Sequence, residues 1–343
     1  ADGKELITGN ESGPLSVPEL KDEKVYITFK EDATELYDTF SGCSALKSIP
    51  ENLFANCPKA TDFSFTFFGC KALTAIPEGL FANNPKVTIF QGTFSYCSAL
   101  KSLPANLFAN NRKVNSFRLT FSGCSALKSI PEKLFANCPK VNTFFQTFAL
   151  CKSLKYIQKN LFANNPKVTS FYGTFWKCSA LKSIPENLFA KNPNVTDFTY
   201  TFIDCSSLTT IPENLFANNP EVTDFLGTFE GCSALTTIPE KLFANCPKVT
   251  DFSETFEGCW ALKSIPSSLF DNNRKVTSFS ETFRGCTAFT GESPYTMIGD
   301  KKVHLYERVN YPDHFTEPTV FWDCFYDSTD MRDYIQAPDD WKE

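Results

Sequence analysis

The sequence predicts an α/β repeat protein in which about ten coils of 27 residues stack into a solenoid. The chain has 343 residues and 36 phenylalanines, and 28 of these phenylalanines fall into three columns with the same 27-residue period. A fixed period of this length is typical of solenoids, because each coil buries its apolar side against its neighbours. Cysteines mark the same period without insertion or deletion, at Cys43, Cys70, Cys97, Cys124, Cys151, Cys178, Cys205, Cys232, Cys259 and Cys286.

Five apolar columns form the predicted core of the stack. One phenylalanine column precedes the repeat cysteine, as Phe94 does, a second follows a leucine, as Phe81 does, and a third follows Val-Thr-x, as Phe90 does. A leucine column and an isoleucine column, represented by Leu73 and Ile76, complete the set. Side chains at equivalent positions of neighbouring coils lie above one another, so each column is expected to be a buried ladder.

Each coil is predicted to contain two short strands, one short helix and one helical turn. The segments 46–49 (Leu-Lys-Ser-Ile) and 87–90 (Val-Thr-Ile-Phe) are rich in β-forming residues and predict the strands. Pro50 suits the first turn of a helix, and Leu53 and Phe54 follow on the same side at helical spacing. Because Pro58 stops the helix, it is predicted over 50–56. The stretch 39–43 is the predicted helical turn.

The two ends of the stack need covers, since a terminal coil would otherwise expose its core. Residues 1–32 are the predicted N-terminal cap, with a strand at 25–29, and residues 33–290 are the predicted solenoid. The period is lost after Phe289 and returns in degraded form, with Ser328 in place of the repeat cysteine and Met331 in place of leucine. We therefore expect residues 291–343 to hold an insertion and a final capping coil closed by Trp341.

The repeat motif T-F-x-x-C-x-x-L-x-x-I-P resembles the A-F-x-G-C-x-x-L-x-x-I-x-I-P unit of BspA-like leucine-rich-repeat proteins. Those are surface and secreted proteins of anaerobic, Bacteroides-type bacteria and of some mucosal protozoa. The match covers about 33–290 and, more weakly, 321–341, although the 27-residue period is longer than the commonest form. The resemblance implies a right-handed leucine-rich-repeat solenoid, an exported chain and a role in adhesion or partner binding. It carries no catalytic residues over to this chain.

The repeat cysteines are predicted to be buried thiols that act as small apolar side chains. Stacked coils place equivalent Cα atoms about 5 Å apart, but parallel side chains keep the Cβ atoms farther apart than the ~3.8 Å that a disulfide prefers. Cys57, Cys138 and Cys246 occupy a column that otherwise mostly holds asparagine, and they are too far apart to pair. No C-x-x-C spacing points to zinc.

Composition argues against several classes of function. The net charge is −6, from 33 Lys and Arg against 39 Asp and Glu, so the chain lacks the basic excess of a general nucleic-acid binder. No apolar run is long enough for a spanning helix. With 2 histidines, we expect no catalytic residues, no cofactor and no metal. A metal site or a base at His304 and His314, near Asp300, Glu307 and Asp313, stays open as the alternative to an ordinary cap surface.

The repeat departs most from its own pattern in the middle coils, where large apolar side chains replace small or polar ones. Columns that tolerate change are exposed, so these side chains are not needed for the core. A contiguous apolar patch on a surface is typical of a binding site. Drift of the repeat is the alternative, because Phe68, Tyr96 and Trp260 show aromatic substitutions elsewhere. The predicted partner-binding residues are Phe145, Tyr156, Tyr172, Trp176, Tyr200 and Ile203.

Three functions remain on these grounds. The favoured one is a non-enzymatic exported or cell-surface protein, a monomer on the bacterial outer surface, that binds a protein or glycan ligand through its repeats. The second is an architectural spacer or stalk with no discrete ligand. The third is an enzyme whose site surrounds His304 and His314. A lipid anchor, if the native chain carries one, would lie on a segment before Ala1.

Overall fold

The computed structural model describes Phe29 and residues 32–343. The predicted N-terminal cap over 1–32, with its strand at 25–29, therefore lies almost entirely outside the described residues. Within the described part, backbone hydrogen bonds join residues one repeat apart. Thr88 N–H donates to the carbonyl of Thr61 at 2.9 Å, and Phe63 N–H donates to the carbonyl of Ile89 in the next coil at 3.1 Å. These bonds form a parallel bridge between Asp62 and Ile89. The same bridge recurs from Glu35–Asp62 to Asp251–Ser278, so the coils stack in register.

The regular strands and helices expected inside each coil are a wrong prediction for the described coils. The predicted strand 87–90 keeps a single bridged residue, Ile89, and no residue of 46–49 is bridged. In the described coils, the segment equivalent to 46–49 is bridged only between Tyr156 and Ser183 and between Thr237 and Ser264. In place of the helix over 50–56, Leu53 N–H donates to Pro50 and Ala55 N–H to Asn52, at 3.2 and 3.1 Å. These are turns between residues three apart, since the two prolines at 50 and 58 leave too few residues for helical bonds.

In the segment before the repeat cysteine, successive N–H groups donate alternately to the next coil and to a residue of the same coil, so the predicted helical turn does not form. Phe65 and Phe67 N–H groups donate to Gln91 and Thr93 of the next coil, at 2.8 and 2.9 Å. Between them, Thr66 N–H closes a turn onto Phe63 at 3.3 Å. Left-handed backbone recurs at two positions of this segment, and both glycine and non-glycine residues adopt it. This backbone positions the side chains of the candidate site.

The three predicted phenylalanine columns form the core, as the sequence indicates. Their members are buried in every described coil. Equivalent rings stack, as Phe148 and Phe175 do with centroids 5.9 Å apart and planes 8° from parallel. All 14 cysteines are free and 13 are buried; the exception is Cys43, the first of its column, which is exposed. The buried thiols also donate hydrogen bonds, as Cys178 Sγ does to the carbonyl of Phe148 at 3.2 Å.

Two buried polar ladders run beside the aromatic core, and the sequence analysis did not identify them. Thr174 Oγ1 donates to the carbonyls of Phe171 and Phe144, in its own coil and the preceding one, at 2.7 and 2.9 Å. Asn192 Nδ2 donates to the carbonyls of Phe162 and Asn165, at 3.1 and 2.9 Å. Both side chains give a second donor to buried carbonyl oxygens that each already accept a backbone N–H within a turn.

Residues 291–343 hold the regular elements of the described chain. Strand β1 (Tyr295–Ile298) pairs antiparallel with β2 (Lys301–His304), and 3-10 helices span Leu305–Asn310, Tyr334–Gln336 and Asp339–Trp341. The stack then resumes through a bridge between Ser278 and Val320. Phe325 stacks on Phe283 at 5.9 Å, and Ser328 Oγ donates to the carbonyl of Phe283 at 2.8 Å, as a repeat cysteine would.

Candidate partner-binding face

The predicted aromatic residues lie in the segment between Val-Thr-x and the repeat cysteine. Phe145 and Tyr172 share one column, Trp176 and Ile203 share another, and Tyr200 lies in a third. Since these columns belong to the same segment of each coil, backbone hydrogen bonds between neighbouring coils bring the five residues close together in the stack. We call Phe145, Tyr172 and Tyr200 the aromatic face, because their rings contact one another.

The aromatic face is a continuous series of ring contacts across three coils. Phe145 stacks on Tyr172 with centroids 4.7 Å apart and planes 8° from parallel. Tyr172 meets Tyr200 edge to face, at 5.7 Å and 88°. The three rings are partly exposed, so they offer apolar area to a partner while holding one another in place. The guanidinium of Arg118 lies 3.8 Å from the centroid of the Phe145 ring.

Tyr200 is directed across the next coil because that coil has glycine at the equivalent position. Tyr200 itself has left-handed backbone, with φ 54°. A Cβ at Gly227 would lie 2.3 Å from the Tyr200 ring, so only glycine leaves this space open. The ring passes over Gly227, and its hydroxyl donates to Oε2 of Glu254 at 3.3 Å, two coils away. Burial raises the pKa of Tyr200, and the charge of Glu254 adds to this effect.

The other three predicted residues differ in their exposure and placement. Trp176 is half-buried, with the ammonium of Lys177 5.4 Å from its ring centroid. Ile203 is 9% exposed and offers a partner little area. Tyr156 is 54% exposed but lies in the other bridged segment, where it pairs with Ser183. No ring contact of the described residues joins Tyr156 to the aromatic face.

A cluster of carboxylates continues the aromatic face, and the sequence analysis missed it. Glu230, Glu254 and Glu257 each place a carboxylate oxygen within 4.8 Å of the others. Glu230 and Glu257 belong to the column of Trp176, in which Arg284 follows them. The repeat pattern contained a signal for this cluster, because Glu230 and Glu257 replace the small residues that several other coils have in the Trp176 column.

Burial and mutual repulsion disfavour the ionised form of the carboxylates in this cluster. Burial, together with the like charges of Glu257 and Glu254, raises the pKa of Glu230 to about 8. Burial, followed by repulsion from Glu281, raises the pKa of Glu257 to about 7. Among the described residues, no salt bridge includes Glu230 or Glu254. Three carboxylates alone do not define a metal site, and proteins often carry such groups without an ion.

The alternative site near the histidines has the arrangement of a buried structural network. His304 Nδ1 lies 2.7 Å from Ser293 Oγ, and that hydroxyl donates to Asp333 Oδ2 at 2.5 Å. Ser293 is fully buried and engaged with both partners, so its oxygen is not available as a nucleophile. His304 is buried and His314 is exposed, and no hydrogen bond or ion pair among the described residues joins them.

No helix among the described residues is both long enough and apolar enough to cross a membrane.

Comparison with known proteins adds the family of the repeat. A family model described as BspA type leucine rich repeat region matches in six copies, over residues 28–172, 100–250 and 182–293. The three ranges overlap and together cover well over half of the chain. No curated protein matches the chain in sequence.

Several solved leucine-rich-repeat structures resemble the chain at low identity. A leucine-rich repeat protein from Bacteroides ovatus is 22% identical over 78% of this chain and 73% of its own, with a TM-score of 0.35. A leucine rich cell surface protein from Faecalibacterium prausnitzii is 18% identical over 85% and 82%, with a TM-score of 0.35. The Toll–Spatzle complex of Drosophila matches at 18% identity over 67% of this chain and 37% of that chain, with a TM-score of 0.37. This chain therefore spans less than half of the matched chain of that complex.

Proposed function

Because the chain belongs to the family of BspA type leucine-rich repeat proteins, we propose that it is an exported or cell-surface protein that binds a protein or glycan ligand without catalysing a reaction. Its fold is the leucine-rich-repeat fold of that family. The finer features follow as part of the proposal: right-handed coiling, about ten coils over 33–290, and caps formed by 1–32 and 291–343. A monomeric chain on the bacterial outer surface completes it.

The observation that carries this proposal is the contact series of the aromatic face. The core columns already provide a complete set of stacked rings, so the stability of the stack does not require Phe145, Tyr172 and Tyr200. These rings are partly exposed and in contact, which is typical of the anchor residues of a binding surface. Trp176, and with smaller area Ile203, extend the proposed surface along the neighbouring column. Tyr156 stays a proposed contact residue on a separate part of the coil.

The second candidate function is an architectural spacer. It is favoured by the unbroken 27-residue register, which a stalk needs and a binding site does not. In that case, the aromatic face would serve only local packing, and removing it would change no interaction with a ligand.

A binding panel tests the two candidates. The intact chain and a Tyr172→Ala/Tyr200→Ala variant are applied to immobilised host matrix proteins, mucins and glycans, and binding is measured by surface plasmon resonance. We expect one ligand class to bind the intact chain and to lose at least about tenfold in affinity with the variant, because two contact rings are removed. A Tyr96→Ala/Trp260→Ala variant is the matched control, since both residues are exposed aromatics outside the aromatic face.

The outcomes separate the proposals. Loss of binding with the first variant alone, with unchanged thermal unfolding, supports a ligand-binding protein that uses the aromatic face. Equal binding by both variants would contradict the location of the site. A complete panel without binding would favour the spacer. Turnover of peptidase, esterase or glycosidase substrates would contradict the non-enzymatic role.

A further inference from the structure

We propose that the aromatic face and the carboxylates beside it bind an arginine-bearing segment of a partner protein. The proposal deepens the proposed function, on which it rests, by naming the chemistry of the ligand. It follows from three observations: where the arginines of the chain itself lie on this side of the stack, which carboxylates have no ion-pair partner among the described residues, and how far the surface extends.

The first observation is that this side of the stack already holds an arginine on an aromatic ring. Arg118 occupies the column of Phe145 and Tyr172, one coil earlier. Its guanidinium carbon lies 3.8 Å from the centroid of the Phe145 ring, which is contact distance for a planar cation over a π face. Arg118 is exposed, so the ring attracts the guanidinium without help from burial.

A second arginine shows the same chemistry combined with carboxylates at the other end of this side. Arg284 Nη1 donates to Oε2 of Glu281 at 2.5 Å, and its Nε lies 3.9 Å from Oε1 of Glu257. Its guanidinium also lies 5.1 Å from the ring centroid of Tyr326. Arg284 lies in the column of Trp176 and Glu230, so the chain itself places a guanidinium beside this column of side chains.

Between these two arginines lies a stretch with the same components, in which Lys177 pairs with Asp204 and not with Glu230 or Glu254. It contains the Tyr172 and Tyr200 rings and the carboxylates of Glu230 and Glu254. No ion pair among the described residues neutralises either carboxylate. Half-buried carboxylates that repel one another are stabilised when a cation from a partner lies beside them.

Arginine fits this stretch better than lysine or a sugar does. A guanidinium can stack on a tyrosine ring and donate two hydrogen bonds to a carboxylate at the same time, whereas an ammonium is a point charge that favours its own hydration. A neutral glycan would stack on the rings but would bring no positive charge to Glu254, or to Glu230 when it ionises. The charge of the surface therefore favours a protein partner.

The extent of the surface indicates an extended segment. Coils stack at about one strand spacing, so the stretch from Tyr172 to Glu254 spans roughly 15 Å. An extended chain advances about 3.3 Å per residue, so a segment of about five residues would cover this distance. Two arginines within such a segment can reach the rings and the carboxylates together.

The test uses the full chain and three fluorescein-labelled peptides built from glycine and serine. The first carries two arginines separated by one residue, and the other two replace them with lysines or with citrullines, which keep the shape of arginine without its charge. Fluorescence anisotropy at pH 8 and low salt measures the affinity. We expect the arginine peptide to bind at least about tenfold more tightly than the citrulline peptide and more tightly than the lysine peptide.

A charge-removing variant locates the interaction. Glu230→Gln/Glu254→Gln keeps the size of both side chains. We expect it to lower the affinity for the arginine peptide at least about tenfold, because two carboxylate partners are lost. The matched control Glu78→Gln/Glu213→Gln removes the same charge from exposed positions elsewhere and is expected to change affinity less than about twofold. If the double variant unfolds, Glu254→Gln alone serves the same comparison.

The proposal is overturned if the citrulline peptide binds as tightly as the arginine peptide, or if the Glu230→Gln/Glu254→Gln variant retains full affinity. The experiments distinguish a failure of this proposal from a failure of the proposed function. A ligand from the panel that is lost with Tyr172→Ala/Tyr200→Ala but kept with Glu230→Gln/Glu254→Gln would support the binding role and reject arginine as its basis.

Discussion

The guanidinium of Arg308 occupies the place that a further asparagine would take beside Asn273. Arg308 Nη1 donates to the carbonyl of Asn273 at 3.0 Å, and its Nη2 donates to the carbonyl of Phe270 at 2.9 Å. In the preceding coil, Asn273 Nδ2 donates in the same way to the carbonyls of Cys246 and Phe243, at 2.8 and 3.3 Å. The 3-10 helix Leu305–Asn310 therefore supplies the donor that ends the asparagine ladder.

Replacing Arg308 with methionine should destabilise the fold although it removes a buried charge. Arg308 is 2% exposed, and burial lowers its pKa to about 9, which leaves it charged at neutral pH. Loss of its donors would leave the buried carbonyl of Asn273 unsatisfied, at about 1–3 kcal/mol, and would leave the carbonyl of Phe270 with the N–H of Asn273 alone. We expect a loss of about 2–4 kcal/mol in the free energy of unfolding, measured by urea denaturation. Arg274→Met, at an exposed arginine beside Asn273, is the control and should change it by less than about 0.5 kcal/mol.

The asparagine ladder also accounts for the cysteines at two of its positions, Cys138 and Cys246. Cys138 Sγ lies 3.9 Å from the carbonyl of Phe108 and 3.7 Å from that of Asn111, the two oxygens that an asparagine would bind. Asn192→Cys should therefore cost about 1 kcal/mol, and Asn192→Ala about 2–3 kcal/mol, because alanine has no donor. Equal losses for the two variants in thermal unfolding would show that the thiol does not replace the amide as a donor.

The sequence contained enough to predict the core but not the backbone that carries it. A period shared by Cys97 and Phe94 identifies which side chains stack, because coils of equal length superpose equivalent positions. The same pattern does not report where each N–H donates, and most bonds here connect neighbouring coils or close turns. The role of Arg308 was not predictable either, because its long side chain reaches the asparagine ladder from a segment that has no repeat pattern.

The candidate site was predictable in part for a similar reason. Phe145 and Tyr172 share a column, so their contact follows from the period alone. The bond from Tyr200 to Glu254 joins two columns across two coils and depends on left-handed backbone and on the space above Gly227. Period alone does not predict a contact of that kind, and the acidic half of the surface was missed with it.

Truncation of one core ring tests the buried columns. Phe175 is fully buried and stacks on Phe148 and Phe202, at 5.9 and 5.5 Å. Phe175→Ala should lower the free energy of unfolding by about 3–5 kcal/mol, because the cavity between coils cannot close. Phe145→Ala, at a partly exposed ring, should cost about 1 kcal/mol or less. Urea denaturation of both variants measures the difference, and similar losses would contradict the distinction between the core and the aromatic face.

The space above Gly227 can be tested by adding a single methyl group. Gly227→Ala adds left-handed strain of about 1–2 kcal/mol and a clash with the Tyr200 ring. Gly258→Ala should show the strain alone, because a Cβ there meets no atom closer than 3.7 Å. In a double-mutant cycle by thermal unfolding, Tyr200→Ala should relieve part of the cost of Gly227→Ala and none of the cost of Gly258→Ala. Additive effects at Gly227 would show that the ring does not lie over this coil.

Stability should fall as the pH rises through the range in which the buried glutamates ionise. Burial raises the pKa of Glu230 from 4.5 to about 8, and Glu257, Glu254 and Asp204 face it with like charge. The folded state then binds a proton that the unfolded state has released, so the free energy of unfolding decreases with pH between about 4.5 and 8.

Glu230→Gln removes the part of this dependence that Glu230 contributes, whereas Glu257, with its pKa raised to about 7, keeps its own part. Compared with the intact chain, the variant should gain stability at pH 8 relative to pH 5, as measured by the melting temperature across that range. Glu213→Gln, which changes an exposed carboxylate, should leave the pH profile of the intact chain unchanged. Parallel profiles for the intact chain and Glu230→Gln would mean that Glu230 is ionised in the folded protein at the same pH as in the unfolded chain. The carboxylate would then not be held in the half-buried position from which it is proposed to receive a cation.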